Sequence, residues 1–288
     1  MRIRATVAAV SGALALSALV LPAAQAAEGP DVPQFAPRAA AAPDPGKDAQ
    51  KGDIKITNVV VNGGKSIVVG TTAKKKFTAA VTLTDPSGIK EGGAFLWHGT
   101  KLAEGYVDGV LTPADNAVPT CKKLNATTSA CSMPITVNPK AGPDKNGLRN
   151  HLAGGGWNVY GGGEAKDGDY VVKHKLKTAV RFQRAARLTV NASPEPVRKG
   201  KAITVAGALT RANWDTHKYA GYTRQPVKLE FKKKGASAWS TVKTVTSDGK
   251  GNLRTTVKAS ADGTFRYVFA GTSTTPAVTS AGDFVDVR

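Results

Sequence analysis

The chain of 288 residues carries 40 lysines and arginines against 21 aspartates and glutamates, a net charge of +19. Hydrophobic residues make up 41% of the chain, which is enough for a packed core and excludes a wholly disordered protein. Two cysteines are too few for a disulfide-dense mini-scaffold or a four-cysteine zinc site.

Residues 1–26 have the pattern of a secretory signal peptide. Met1–Arg4 is a short cationic start, Ala5–Leu21 is apolar, and Ala24-Gln25-Ala26 is a small-residue cleavage site. Removal of Arg2 and Arg4 with this segment lowers the net charge from +19 to +17. No long apolar run follows, so we expect a secreted protein without a membrane span, either extracellular or loosely wall-associated.

Residues 27–52 carry five prolines and almost no periodic apolar pattern. This composition predicts an extended, disordered leader rich in proline and alanine. The folded part of the chain is therefore expected to begin at about residue 53.

From residue 53 the sequence changes to short runs in which apolar and polar residues alternate, as is typical of β-strands. The predicted strands are residues 54–61, 67–69, 77–84, 94–97, 157–160, 170–175 and 179–183. Turns such as Asp85-Pro86-Ser87-Gly88 separate them, and no long run has the helical i, i+3, i+4 spacing. We expect a β-sandwich domain over residues 53–186.

Cys121 and Cys131 bracket a polar stretch long enough to turn back on itself. Because a secreted protein folds in an oxidising compartment, we expect these two residues to form a disulfide. The closed loop is small, so the bond is expected to stabilise the fold by roughly 2–3 kcal/mol.

A second domain is predicted over residues 187–288. Its alternating runs are residues 188–191, 203–209, 227–231, 240–245, 253–257, 265–269 and 284–287. Seven short strands in about 100 residues, separated by glycine-containing turns, favour an immunoglobulin-like sandwich. The fold class expected for the whole chain is therefore all-β, with two tandem immunoglobulin-like domains.

Several segments of the second domain resemble a recurrent immunoglobulin-like module of exported actinobacterial proteins. They are RLTVNASPEPVRKGKAITVAGALTRANWDTHKYAGY, PVKLEF, TVKTVTSDGKGNLRTTVKAS and ADGTFRYVFAGTSTT. VTLTDPSGI, GAFLWHG, GGWNVYGG and KDGDYVVKHK resemble the companion domain that often precedes it. The resemblance implies the fold and secretion, and it implies no activity because that family is largely of unknown function.

No linear motif of an enzyme is present, and the chain is predicted to be non-catalytic. The histidines His98, His151, His174 and His217 have no metal-ligand spacing. Since catalytic groups need not be close in sequence, a secreted hydrolase with a site in the glycine-rich stretch Gly154–Glu164 is an alternative.

Two acid–glycine turns are the candidates for a calcium site, the only cofactor left open. They are Asp248-Gly249-Lys250-Gly251-Asn252 and Asp167-Gly168-Asp169. Neither has the spacing of an EF-hand loop, and an Asp-Gly pair forms a hairpin turn without an ion. We therefore expect no cofactor.

Both predicted domains are basic. Residues 53–186 carry 18 basic and 10 acidic side chains, and residues 187–288 carry 17 and 7. Such a field attracts anionic polymers of the cell wall or the extracellular space. No module that reads nucleic-acid sequence is present, and we expect a monomer.

Residues 211–224 are the candidate binding site. They are predicted to be a long loop, and long loops in compact domains are often functional. Aromatic rings can stack on sugars, and cationic side chains can hold phosphate or carboxylate. The candidate residues are Arg211, Trp214, His217, Lys218, Tyr219, Tyr222 and Arg224. Alternatively, Trp214 and a tyrosine cap the open end of the sandwich.

These features favour a secreted, non-catalytic binding module that acts at the cell wall or on extracellular polyanions. A protease inhibitor is a further alternative. It would present the Cys121–Cys131 loop and insert Lys122 or Lys123 into a protease pocket. That hypothesis predicts an extended, protruding loop.

Overall fold

The computed structural model describes residues 46–102, 107–114, 117–142 and 145–288. The predicted signal peptide and most of the predicted leader lie outside these residues. Within the described ranges the chain forms strands and turns and contains no α-helix. None of those ranges holds a helix with the length and apolarity needed to cross a membrane. The all-β fold class is confirmed.

The described part of the first domain contains eleven strands. They are β1 (Ala49–Lys51), β2 (Lys55–Val61), β3 (Ile67–Val69), β4 (Lys75–Thr84), β5 (Ile89–Gly99), β6 (Val107–Leu111), β7 (Thr120–Lys123), β8 (Thr128–Val137), β9 (Trp157–Ala165), β10 (Tyr170–Lys177) and β11 (Phe182–Arg184). Short 3-10 turns at Asn62–Gly64 and Asn150–Leu152 accompany them.

Two antiparallel sheets form the first sandwich. Their strand orders are β2-β4-β8-β7 and β1-β10-β9-β5-β6. Along β4, Ala79, Val81 and Leu83 are fully buried, because alternate side chains of a strand point to the same face. Gly161 of β9 lies opposite Val81: a Cβ there would come within 2.7 Å of the valine side chain. Glycine therefore permits the close approach of the two sheets.

A parallel pair of short strands, β3 and β11, completes the first domain. Phe182 of β11 packs edge-on against Phe77 of β4, with ring centroids 5.7 Å apart. It also lies 4.6 Å from the ring of Trp157 in β9. These contacts attach the parallel pair to the core of the sandwich.

The predicted disordered leader ends too late in the sequence. Its last residues form β1, which pairs antiparallel with β10. Asp48 accepts hydrogen bonds from the amide and the Nδ1 atom of His174, at 3.1 and 2.7 Å, and lies 3.1 Å from Lys173 Nζ. These partners are more than 120 positions away in sequence, so the local composition could not indicate the strand.

The second domain contains ten strands. They are β12 (Ala186–Leu188), β13 (Asn191–Ser193), β14 (Ala202–Asn213), β15 (Lys218–Gly221), β16 (Pro226–Lys233), β17 (Ser240–Thr246), β18 (Asn252–Lys258), β19 (Gly263–Phe269), β20 (Val278–Thr279) and β21 (Asp283–Val285). In one sheet β14 pairs with β12, β13, β15 and β18; in the other the order is β17-β16-β19-β20, with β21 also on β19.

The core of the second domain lies between these sheets. Tyr267 of β19 is fully buried and donates its hydroxyl to the backbone oxygen of Val205 in β14, at 3.0 Å. Burial raises the pKa of Tyr267 to about 12. This hydrogen bond joins the two sheets and satisfies the only polar group of the tyrosine side chain.

The two domains follow each other almost without a linker. Arg184 ends β11 in the first domain, and Ala186 begins β12, which pairs with β14 in the second. The intervening Ala185 donates its amide to Val69 O at 2.9 Å and accepts a hydrogen bond from the amide of Ala212 at 2.8 Å. One residue therefore bonds to both domains.

Candidate functional site

The segment 211–224 contains a β-hairpin, and its prediction as a long loop is wrong. β14 continues to Asn213, and β15 pairs back along it with Asn213 opposite Lys218 and Thr210 opposite Gly221. His217 occupies the left-handed region, with φ of 54°, in the four-residue turn between them. Pairing with β15 extends β14 to Asn213, whereas the apolar alternation predicted a strand that ends at Leu209.

Trp214, at the tip of this hairpin, is fully buried and belongs to the hydrophobic core of the first domain. Its Nε1 atom donates to Val69 O at 3.3 Å, and its amide donates to Asn150 Oδ1 at 3.0 Å. Asn150 also contacts Asn213 and Asp215 of the hairpin. The hairpin of the second domain is thus inserted into the first.

The other aromatic residues of the predicted site contact arginines of the same chain. The Arg211 guanidinium carbon lies 3.8 Å from the ring centroid of Tyr222, and that of Arg187 lies 3.6 Å from the ring centroid of Tyr219. Burial lowers the pKa of Arg211. Lys218 and Arg224 are exposed, whereas His217 is half-buried. The seven predicted residues are therefore not one site: Trp214 lies in the domain joint, Tyr222 belongs to the core of the second domain, and Lys218 and Arg224 face the solvent.

A further arginine lies in the joint itself. Arg184 is buried and donates its Nε hydrogen to Ala212 O at 2.5 Å. Burial, together with the positive charge of Arg211, lowers the pKa of Arg184 to about 10. It remains charged at neutral pH, and it adds a cross-domain hydrogen bond to those of Trp214.

A second aromatic and basic surface lies on the outer face of the sheet formed by β16 and β19. Along β19 the buried residues alternate with half-exposed ones, so Arg266 points away from the core that holds Tyr267. Glu230 is the cross-strand neighbour of Arg266 and pairs with it at 2.8 Å. Lys228 and Lys232 have the same parity as Glu230 on β16 and share this outer face.

Trp239 lies on this surface and is half-exposed. The Arg266 guanidinium carbon is 3.8 Å from its ring centroid, and Lys232 Nζ is 5.0 Å from it. Phe284 of β21 keeps 42% of its surface exposed, and its register partner is Thr264 of β19. We call the set Lys228, Lys232, Trp239, Arg266 and Phe284 the Trp239 face. Trp239 was not among the predicted site residues, although a tryptophan in a Ser/Ala-rich turn after Lys232-Lys233-Lys234 is a usable signal in the sequence.

The disulfide between Cys121 and Cys131 is confirmed, with its two residues directly opposite each other in β7 and β8. Lys122 and Lys123 lie in β7 and pair with Ala130 and Ser129. The extended free loop expected for a protease inhibitor is therefore not what this segment forms. Strand pairing across the whole hairpin accounts for the difference.

The glycine-rich stretch Gly154–Glu164 is mostly the central strand β9, which is buried along its full length between β5 and β10. Glu164, its one acidic residue, pairs with Lys90 at 2.9 Å. Glycines at these positions allow close sheet packing, and the stretch does not form the cleft of acid and base groups that the hydrolase alternative predicted.

Three aspartates from distant parts of the sequence meet at one end of the first sandwich. Asp53, Asp85 and Asp169 each place a carboxylate oxygen within 4.8 Å of the other two. We call them the acidic cluster. Loss of solvent around the carboxyl group raises the pKa of Asp53, and the carboxyl groups of Asp85 and Asp169 raise it further. The sequence indicates the turn 167–169 as a calcium candidate, but it does not show that Asp53 and Asp85 lie beside this turn.

The other calcium candidate has a complete local explanation. The Asp248 carboxylate accepts hydrogen bonds from the amides of Lys250 and Asn252, at 2.7 and 2.8 Å, and from the Asn252 side chain at 3.0 Å. These bonds lower the pKa of Asp248. Its oxygens are used within the turn.

Two histidines also come together unexpectedly. His98 Nδ1 lies 2.6 Å from one carboxylate oxygen of Asp108, and His151 Nε2 lies 3.7 Å from the other. The two histidines are 53 positions apart, so no linear spacing could reveal the pair. We assign it no role.

No protein-family model matches the sequence, and no curated protein matches it. Among solved structures, a chimeric titin Z1Z2 tandem is 11% identical and covers 82% of this chain and 100% of that one, with a TM-score of 0.26. A marsupial T cell receptor is 11% identical over 80% and 72%, with a TM-score of 0.37. The fibronectin(III)-like modules of Clostridium thermocellum CbhA are 10% identical over 80% and 93%, with a TM-score of 0.32. Strand pairing, rather than these similarities, defines the two β-sandwiches.

Proposed function

We propose that the protein is a secreted, non-catalytic binding module whose second domain holds an anionic extracellular polymer on the Trp239 face. The fold alone does not specify a ligand, so the proposal depends on the surface. The main support for the proposal is the position of Trp239, which is half-exposed and lies beside the cationic groups of Arg266 and Lys232.

Four members of the face have distinct parts in such binding: Arg266, Lys228, Lys232 and Trp239. Glu230 orients the guanidinium of Arg266, because Arg266 Nε and Nη2 both lie 2.8 Å from Glu230 Oε2. Lys228 and Lys232 supply mobile point charges, which suit repeating phosphate or carboxylate groups. Trp239 supplies an aromatic edge for the sugar or polyol part of a repeat unit. An exposed sheet face suits an extended polymer better than a small ligand, which is usually held in a concave pocket.

The exposed residues of the predicted site fit the same proposal. Lys218 and Arg224 lie in the second domain, whose net charge is +10 from 17 basic and 7 acidic residues. They would add to the long-range attraction without contacting the polymer at the Trp239 face. Secretion, predicted from residues 1–26, would bring the protein to such polymers.

The experiment is retention of the mature protein on purified cell-wall fractions, with teichoic acid either present or extracted. We expect more protein to be retained on wall fractions that contain teichoic acid than on fractions from which it has been extracted. The Trp239→Ala variant should be retained less than the wild type. Equal retention on extracted and intact walls would contradict the proposal.

A further inference from the structure

The acidic cluster joins three separate segments of the first domain. Asp53 lies between β1 and β2, Asp85 follows β4, and Asp169 lies in the turn between β9 and β10. One oxygen from each is within 4.8 Å of the others. Like charges at this separation repel one another. The cluster concentrates negative charge in a chain whose net charge is +19.

Asp85 carries the observation that points to a ligand. Only 1% of this residue is exposed. Its Oδ1 atom accepts hydrogen bonds from the amide and the hydroxyl of Ser87, at 2.8 and 2.6 Å. Its Oδ2 atom is buried and has no hydrogen-bond partner among the described residues. A buried carboxylate oxygen without a partner is costly, so a group that satisfies it is expected.

The surrounding backbone holds the carboxylates in place. The Asp53 amide donates to Asp169 Oδ2 at 2.9 Å, and the Asp169 amide donates to Asp167 Oδ1 at 3.1 Å. Gly52 has φ of 73°, and a Cβ at that position would lie 1.5 Å from Asp169 Oδ2. Glycine therefore leaves the space that the Asp169 carboxylate occupies.

The geometry points to a divalent-cation site formed by Asp53, Asp85 and Asp169, and its chemistry points to calcium. All donors are carboxylate oxygens, which favour hard cations over zinc. Calcium binds oxygens at about 2.3–2.6 Å, so two of its ligands lie at most about 5 Å apart. The separations in the cluster satisfy that limit. Calcium also tolerates irregular geometry and takes water for its remaining ligands, whereas magnesium demands a near-ideal octahedron.

Such an ion would stabilise the first domain. Its ligands come from the N-terminal segment, from the sheet that contains β4 and from the sheet that contains β9 and β10. One ion would therefore bind both sheets together and fix the entry of the chain from β1 into β2. The site is separate from the Trp239 face, which lies in the other domain.

The test is calorimetric titration of the mature protein with calcium chloride at constant ionic strength. We expect one ion per chain with a Kd of about 10⁻⁴ to 10⁻³ M, the range of extracellular calcium modules. At tenfold excess over Kd, the melting temperature should rise by about 4 °C. Ionic strength is held constant because salt screening alone could stabilise so basic a protein.

Asp53→Asn is the main variant, since Asp53 is exposed and its replacement leaves the core intact. It should abolish binding and the calcium-dependent melting shift, as should Asp169→Asn. Asp248→Asn is the matched control: it removes the carboxylate charge from an acid–glycine turn in the second domain and should keep the full calcium-dependent shift. Absence of heat in the wild type, an equal shift in Asp53→Asn, or an equal response to magnesium chloride would overturn the assignment.

Discussion

The indole Nε1 of Trp214 donates a hydrogen bond to the backbone oxygen of Val69, 3.3 Å away and 145 positions earlier in the sequence. Trp214 lies on a hairpin of the second domain, whereas Val69 ends β3 of the first. The side chain is fully buried in the first domain's core. A residue predicted to bind ligand or to cap its own sandwich thus fastens one domain to the other.

Replacing Trp214 with alanine should lower the free energy of unfolding by roughly 3–5 kcal/mol, because it removes a buried aromatic side chain and leaves a cavity. Denaturant unfolding, followed by circular dichroism, measures this change. The matched control is Trp239→Ala, which should cost less than about 1 kcal/mol because Trp239 is half-exposed. Equal losses for the two variants would contradict the assigned roles.

Acid should weaken the attachment of β1. Partial desolvation raises the pKa of Asp48, but hydrogen bonds from the His174 amide and from Lys173 outweigh it, and the net shift is downward. A lowered folded-state pKa stabilises the protein above the unfolded pKa of about 4, and this stabilisation is lost as the pH falls through the folded value.

The Asp48→Asn variant removes that contribution. It should be less stable than the wild type at pH 6 by about 0.5 kcal/mol, a small value because the Asp48 side chain is 46% exposed. Near pH 2 the difference should vanish. Melting temperatures at the two pH values measure this, and a difference independent of pH would show that the carboxylate charge is not responsible.

The disulfide should account for both cysteines of the protein. Denatured, non-reduced protein should contain no thiol that reacts with an alkylating reagent, and reduction should expose two. Replacing Cys121 and Cys131 with serine should cost roughly 2–3 kcal/mol, because the bond closes only a short loop. Mass spectrometry and denaturant unfolding measure the two effects. Alkylation without reduction would be incompatible with the bonded hairpin.

Local patterns sufficed for most strands but not for their extensions. The alternation in residues 77–84 predicts β4, since its core face is apolar at every second position. β7 is a short, polar strand at the edge of its sheet, and such a segment resembles a loop in sequence. β8 does alternate at Met133, Ile135 and Val137, but Pro134 interrupts the run and argues against a strand inside a sheet. β15 was missed because its stability comes from pairing with β14 rather than from its own composition.

The acidic cluster and the Trp239 face were not predicted from the sequence, because each brings together residues from separate segments of the chain. Asp85 and Asp169 lie 84 positions apart, and each stands in a stretch whose sequence reads as an ordinary turn. Trp214 and Trp239 have similar polar surroundings in sequence. Only the tertiary structure shows that the first is buried in the other domain and the second faces solvent.

Binding of purified teichoic acid at about 50 and about 300 mM NaCl tests the central claim most directly, since salt screens charges over roughly 10 Å at 0.1 M. The variant is Lys228→Gln with Lys232→Gln, and the control is Lys122→Gln with Lys123→Gln, the same charge change on β7 of the first domain. We predict that the variant binds about tenfold more weakly at low salt with a shallower salt dependence, while the control stays near wild type. Equal weakening by the two double variants, or binding that ignores salt, would contradict a specific polymer site on the Trp239 face.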